Sequence, residues 1–298
     1  MNGNISDYAE RFLEFMKSMG RSKNTLVNYG VDLQLFAEFL ENMGITDAAM
    51  IDSDSVRIFL SSVLGFGSAK TTAARRLSAV RGFTSWLCRS GVLKSDPVLG
   101  LKGPRLPQSL PKALSYDDTV RLIEDGPDKT SKYYRRDRLI LEIMYGSGLR
   151  VSEVIGLDWQ AVEFSTRTMR IFGKGSKERL VPFSAIVETL LAEWHDVTGA
   201  GSEGPVFSSD RKDGPERLTV RTVHRLVLRA AQRTGLRGVS PHTLRHCCAT
   251  HMLENGAPLN VVQELLGHES LATTQKYLLI TTEQIKNSYM KAHPRAQG

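Results

Sequence analysis

A chain of 298 residues with 39 Lys and Arg against 32 Asp and Glu carries a formal charge of +7 and a pI near 9.3, which is long enough for two domains and suits a polyanionic partner. Its three cysteines, two of them adjacent at Cys247 and Cys248, exclude a disulfide framework and fit a reducing compartment. No apolar run approaches the length of a membrane span and no signal-peptide core opens the chain, so the expectation is a soluble cytoplasmic protein with no membrane partner.

The first ninety-odd residues read as four helices, from Ile5 to Met19, from a Ser22 cap to Met43, from Asp52 or Ser53 to Leu64, and from Ser68 to Arg89. In the second, Leu26, Tyr29, Leu33, Phe36, Phe39 and Leu40 recur at helical spacing and predict a core face. The fourth sets Leu77, Val80, Phe83 and Trp86 on one side and Lys70, Arg75, Arg76 and Arg81 on the other. Those four cations fit a solvated face and a set of DNA phosphate or groove contacts about equally well. Pro97, Pro104, Pro107 and Pro111, interleaved with Gly100, Lys102 and Gly103, predict an extended linker over 96–112. The chain is thereby divided into an N-terminal helical domain at 1–95, the linker, and a C-terminal domain at 113–298.

In the second domain, Leu139 to Tyr145 reads as a buried helix stopped by Gly146-Ser147-Gly148, after which Arg150 stands where a new helix begins and Glu153 follows one turn on. The planar fork of Arg150 can grip a phosphate, with Glu153 orienting it or a neighbouring base; taken alone, the pair reads better as a surface ion pair at i,i+3. Short apolar runs at Val162–Phe164, Met169–Phe172 and Leu180–Val181 predict a small antiparallel sheet, with Gly173 to Glu178 as its hairpin turn and Lys174 between two glycines at the tip. The fold class is therefore mainly α with a small antiparallel β-sheet.

The densest chemistry lies further on. Ser240 reads as an N-cap, Pro241 as the first helical residue and Gly256 as the stop, which places His242 and Arg245 three apart in the first turn, at the positive end of the helix dipole. A second short helix from Leu259 to Leu266 ends at Gly267, His268 enters a loop, and Ser270 can cap a helix that carries Tyr277. A phenol with a pKa of about 10 is a poor nucleophile unless a base and a charge-neutralising clamp stand beside it. Two imidazoles and a guanidinium close before one tyrosine supply those helpers for attack on a phosphodiester. A metal site at His242, His246, His251 and His268 is disfavoured, because no carboxylate ligand follows at helical spacing and no His-Glu-x-x-His occurs.

These residues resemble the tyrosine recombinases of the phage-integrase type, and the Xer-type members most closely. The resemblance rests on Gly148-Leu149-Arg150-Val151-Ser152-Glu153, Gly173-Lys174-Gly175, His242-Thr243-Leu244-Arg245-His246, Leu265-Leu266-Gly267-His268, Tyr277 and the tail His293-Pro294-Arg295-Ala296. Cys247-Cys248 departs from the Ser, Thr or small apolar residues often found in relatives. The resemblance implies an N-terminal four-helix core-binding (SAM-like) domain that clamps DNA and a C-terminal catalytic domain. It implies a catalytic set of Arg150, Lys174, His242, Arg245, His268 and Tyr277, with no cofactor and no metal. Implied partners are double-stranded DNA with a Xer-type site and three further protomers in a homo- or hetero-tetramer on two sites. A paralogous recombinase in that tetramer and activation by a septal DNA translocase are left open, as is a mobile-element integrase role. A non-catalytic DNA-binding module of the same fold and a topoisomerase that rejoins the same ends are rival classes, disfavoured by the intact set and by the N-terminal bundle and tail. The segment from Thr282 to Ala292, with its sparse stripe of Ile285, Tyr289 and Met290, is implied to dock into a neighbouring protomer as an exchange helix, against the alternative of packing on its own domain.

Overall fold

Asn4 and Ser22 each accept a hydrogen bond from an amide two or three residues on, at 3.1 and 3.2 Å, and helices α1 (Ile5–Ser18) and α2 (Lys23–Asn42) start there. The computed structural model describes residues 3–65, 70–101, 103, 113–173, 178–199, 201–211, 214–267 and 282–296. The chain divides into two compact units, Met1–Ser109 and Leu110–Gly298.

In the first unit, α3 (Ser53–Gly65) and α4 (Lys70–Arg89) complete four helices whose limits lie within about two residues of the sequence expectation. Leu33, Phe36 and Leu40 of α2 are buried, and Phe36 meets Phe59 of α3 at 4.9 Å between ring centroids. Leu77, Val80 and Phe83 of α4 close the core, with Trp86 packed against its edge. Asp96 to Leu101, inside the stretch expected to be an extended linker, folds back onto this unit. Thr84 Oγ1 and the amide of Val98 both donate to Asp96 Oδ1, the Arg81 guanidinium donates to the Leu101 carbonyl, and Val98 is buried. A proline-rich stretch stays extended only where it has nothing to bury, and Val98 has a core to enter.

Arg75 and Arg76 of α4 are also not arrayed on a free face. Arg75 donates to the wholly buried Asp32 of α2 and to the Asn28 carbonyl, and Arg76 Nε stands 3.7 Å from the same carboxylate. Burial pushes the Asp32 carboxyl up, and the two guanidiniums oppose that shift.

The second unit is built around α6 (Tyr134–Gly146), whose residues from Leu139 to Gly146 are buried on every side. It is flanked by α5 (Tyr116–Glu124) and followed by the short α7 (Val151–Ile155). Strands β1 (Val162–Glu163), β2 (Thr168–Phe172) and β3 (Glu178–Pro182) form an antiparallel sheet in that order, with Met169 opposite Val181 and Phe172 opposite Glu178. Met169 and Ile171 turn inward while Arg170 and Phe172 face out, the period of two that the apolar runs predict. After α8 (Ala185–Thr198), a second hairpin of β4 (Ser208–Arg211) and β5 (Gly214–Arg217) was not signalled, because its strands are polar and lack alternation. Helices α9 (Val220–Arg233), α10 (Pro241–Glu254) and α11 (Leu259–Leu266) follow, and α12 (Thr282–Ala292) comes last.

In this single chain helix α12 packs on its own domain. Tyr289 is fully buried and stacks on His293 at 5.0 Å, and Asn255 Nδ2 donates to the Ala292 carbonyl. Arg295 beyond it donates to Glu142 of α6 at 2.7 Å and to Glu124 of α5 at 3.1 Å. A wholly buried aromatic and a paired buried arginine hold the tail in place.

His293 is held neutral in this packing. Its Nδ1 accepts from the amide of Arg295 and its Nε2 faces the Tyr145 carbonyl at 3.3 Å, which assigns the ring proton to Nε2. Burial pushes its pKa down to about 3. A base lowered on folding binds fewer protons in the native than in the unfolded state, so stability falls as the pH drops below the ordinary histidine range and continues to fall towards the native value. Between pH 6.5 and 5, urea denaturation of the wild type is expected to show a loss approaching about 1.4 kcal/mol per pH unit from this group. Replacing it, His293→Phe, flattens that slope; an unchanged slope overturns the assignment.

Candidate active site

A helix leaves its last carbonyls without intrahelical partners. At the end of α11, Gly267 takes a left-handed turn at φ 63°, and the carbonyls of Leu265, Leu266 and Gly267 are each taken by a different guanidinium. Arg179 Nε donates to Leu265 at 3.1 Å, Arg245 to Leu266, and Arg150 Nη2 to Gly267 at 2.8 Å. The arginines come from β3, α10 and the N-cap of α7. Arg245 also donates to the Gly148 carbonyl at 2.6 Å. Gly148 itself has φ 61°, and a Cβ there would meet Leu266 at 2.6 Å and Cys248 at 3.1 Å, so only glycine lets the turn before Arg150 lie this close.

One carboxylate serves all three. Glu153 accepts from the Arg150 amide and from Arg150 Nη1, both at 2.8 Å, and takes a bidentate pair from Arg179 at 2.9 Å on each oxygen. Arg245 Nη1 stands 3.9 Å away. Burial pushes the Glu153 carboxyl up, but the hydrogen bonds from Arg179 and Arg150 more than offset it and hold the group below its usual range. Burial, with Arg150 adding repulsion, lowers Arg245 to about 10, which still leaves it charged at neutral pH. Three cations against one anion leave the cluster positive. Arg150 is its most open member, with 35% of its side chain exposed against 12% for Arg179 and 9% for Arg245.

Helix α10 starts as its sequence predicts. The Ser240 hydroxyl accepts from the Thr243 amide at 3.3 Å, the Thr243 hydroxyl faces the Ser240 amide at 3.0 Å, and Pro241 occupies the first helical position. His242 is exposed on that first turn while Arg245 is buried behind it. Arg150, Glu153 and Arg245 are thus brought together. Lys174, His268 and Tyr277 lie outside the described residues, though His268 directly follows the anchored Gly267. Cys247 and Cys248 are buried; burial pushes Cys248 up to about 12, which makes it an inert packing residue. His251, one of the histidines weighed as a metal ligand, shares hydrogen-bonding contacts with the Tyr145 hydroxyl and the Leu114 carbonyl, each at 2.9 Å.

Two features escaped the sequence reading. Arg179 pairs across the sheet with the buried Ile171 and shares a strand face with Val181, so a period of two already places it inward, where a guanidinium requires a buried partner. On α9, Arg221, His224, Arg225 and Arg229 are exposed at helical spacing and form a basic stripe opposite the buried Val223 and Val227.

The phage integrase family profile matches residues 112–284, and that of the phage integrase N-terminal SAM-like domain matches residues 9–91. The chain belongs to the phage integrase family, the tyrosine recombinases, which are DNA strand transferases. Within the family its likeness is to Xer proteins. Tyrosine recombinase XerC of Corynebacterium glutamicum is 37% identical over 98% of this chain and 92% of its own length. The fold is that of a lambda integrase dimer (residues 75–356) bound to a COC′ core site, with a TM-score of 0.72 at 18% identity over 94% of this chain and all of that one. XerH in a post-cleavage complex with palindromic difH substrate is similar at TM-score 0.71 and 21% identity, covering 97% of this chain and 99% of that one.

Removing the shared carboxylate, Glu153→Ala, strands three buried or half-buried cations and is expected to destabilise the catalytic unit by about 3 kcal/mol. Urea denaturation checks this, and a loss under about 1 kcal/mol would count against the shared role.

Proposed function

We propose that this tyrosine recombinase acts at a Xer-type site on double-stranded DNA, in a tetramer spanning two sites, to resolve chromosome or plasmid dimers before segregation. The observation that carries this is the pre-assembled guanidinium cluster: Arg150 and Arg245 are fixed by carbonyls and by Glu153 before any phosphate arrives. Donors already oriented for developing negative charge need no reorganisation in the transition state.

In this mechanism Arg150 and Arg245 bind the non-bridging oxygens of the scissile phosphate, and His242 and His268 add hydrogen bonds. His242 takes the phenolic proton as Tyr277 attacks phosphorus. The bond to the 5′-oxygen breaks, Lys174 protonates that oxygen, and a 3′-phosphotyrosyl link remains. A 5′-hydroxyl from the second duplex then attacks the link and displaces Tyr277, which gives a Holliday junction. One phosphoester replaces another at each step, so the bond energy is retained and ATP is not consumed.

The basic stripe of α9 joins this as a DNA-backbone contact. Each phosphate it neutralises releases counterions, so Arg225→Ala and Arg229→Ala are expected to weaken binding uniformly across sequences and to lower the salt slope by about 1 each. Arg75, Arg76 and Arg81 of α4 fit the contact role less well, since they already have partners within their own unit.

The test of the whole reading is a suicide substrate, nicked DNA bearing a Xer-type site, incubated with the protein in EDTA. A covalent protein–DNA adduct that Tyr277→Phe abolishes while DNA binding persists is the expected result; binding without adduct would favour a non-catalytic module. Complete recombination by the protein alone assigns a homo-tetramer. Dependence on an added paralogous recombinase or septal DNA translocase assigns those partners.

A further inference from the structure

Arg179 belongs to none of the six positions given a chemical role, yet it is the residue that joins three parts of the site. It rises from β3, five positions after Lys174, grips both oxygens of Glu153 with its two terminal nitrogens, and caps the Leu265 carbonyl with its third. Its guanidinium also lies against Gly267, 3.2 Å from where a Cβ would stand. All three nitrogens are engaged with protein, and only 12% of the side chain is exposed, so it has little left to offer a substrate.

Arg150 differs in that respect. Arg150 is one-third open and uses two of its nitrogens on protein. Its aim depends on Glu153 on one side and on the Gly267 carbonyl on the other; Arg179 grips the first and, through the Leu265 carbonyl and its packing beside Gly267, braces the backbone that carries the second. Without Arg179, Glu153 is free to rotate towards Arg150 or Arg245, and the Leu265 carbonyl loses its donor. Both changes loosen the turn that leads into His268.

Accepting the recombinase mechanism above, we infer that Arg179 is a positioning residue for strand transfer, one that fixes Arg150 and the end of α11 through Glu153 and the Leu265 carbonyl. A lysine there keeps the charge but cannot make a bidentate pair and cap a carbonyl at the same time.

The test is Arg179→Lys, read in two ways. On nicked DNA with an ordinary scissile phosphate, the cleavage rate constant is expected to fall about tenfold or more, with DNA affinity within about threefold of wild type. On the same DNA with a methylphosphonate at the scissile position, which replaces one charged non-bridging oxygen and so lowers the charge that the guanidiniums must stabilise, the variant and wild type are expected to differ by less than about threefold. Equal slowing on both substrates, or none on either, overturns the inference.

The second readout needs no turnover. The Gly267 amide donates to the Glu264 carbonyl, and its hydrogen exchange is expected to quicken about tenfold in Arg179→Lys while the amides of α6 keep their protection. Unchanged exchange at Gly267 overturns the positioning role. Loss of protection in α6 as well would assign Arg179 to folding and overturn it equally. A wild type that forms no adduct defeats the recombinase mechanism instead, and the exchange measurement still decides what Arg179 holds.

Discussion

The end of one eight-residue helix governs the geometry of this site. Three carbonyls that α11 cannot satisfy internally, together with one buried carboxylate, draw in guanidiniums from β3, α7 and α10. Like charges so close would repel in isolation. Glu153 and the negative end of the helix dipole make their gathering stable, and the surplus positive charge is left where it is least buried, on Arg150. A phosphate entering such a site meets donors already oriented, at a cost met when the protein folded.

The same logic, buried charge held by converging partners, recurs at two other places with different outcomes. Asp32 in the N-terminal unit ties α2 to α4 through Arg75 and Arg76, and it fixes side chains that could otherwise reach outward. At the C-terminus, Glu142 within α6 takes Arg295, and Tyr289 and His293 stack beside it, so the tail is held by its own domain. In each case removing one partner leaves a charge in a medium that solvates it poorly.

Much of the fold was legible because the signals were local. Ser22 and Ser240 caps, the inward faces of α2 and α4, Gly267 as a stop and the alternation of β2 all act within a few residues. Arg150, Glu153 and Arg245 were legible through their motifs. What escaped was set by distant contact: Arg179 acquires its meaning only when β3 lies against α7 and α11, the β4–β5 hairpin has no apolar pattern, and Asp96 to Leu101 folds back because Val98 finds a core. The packing of Tyr289 against its own domain likewise depends on α6, more than a hundred residues away, and no periodicity within α12 reports it.

The carbonyl half of the arginine clamp is encoded by no side chain. Any apolar residues that continue the helix and fill the core at 265 and 266 would present the same oxygens, so the sequence can drift among them without altering what the guanidiniums grasp. The exception is Gly267, where the backbone is left-handed and a Cβ would press on Arg179. The specific information for that half of the clamp is thus concentrated in a single residue without a side chain, which makes the anchorage tolerant of apolar exchanges along the helix and brittle at one position.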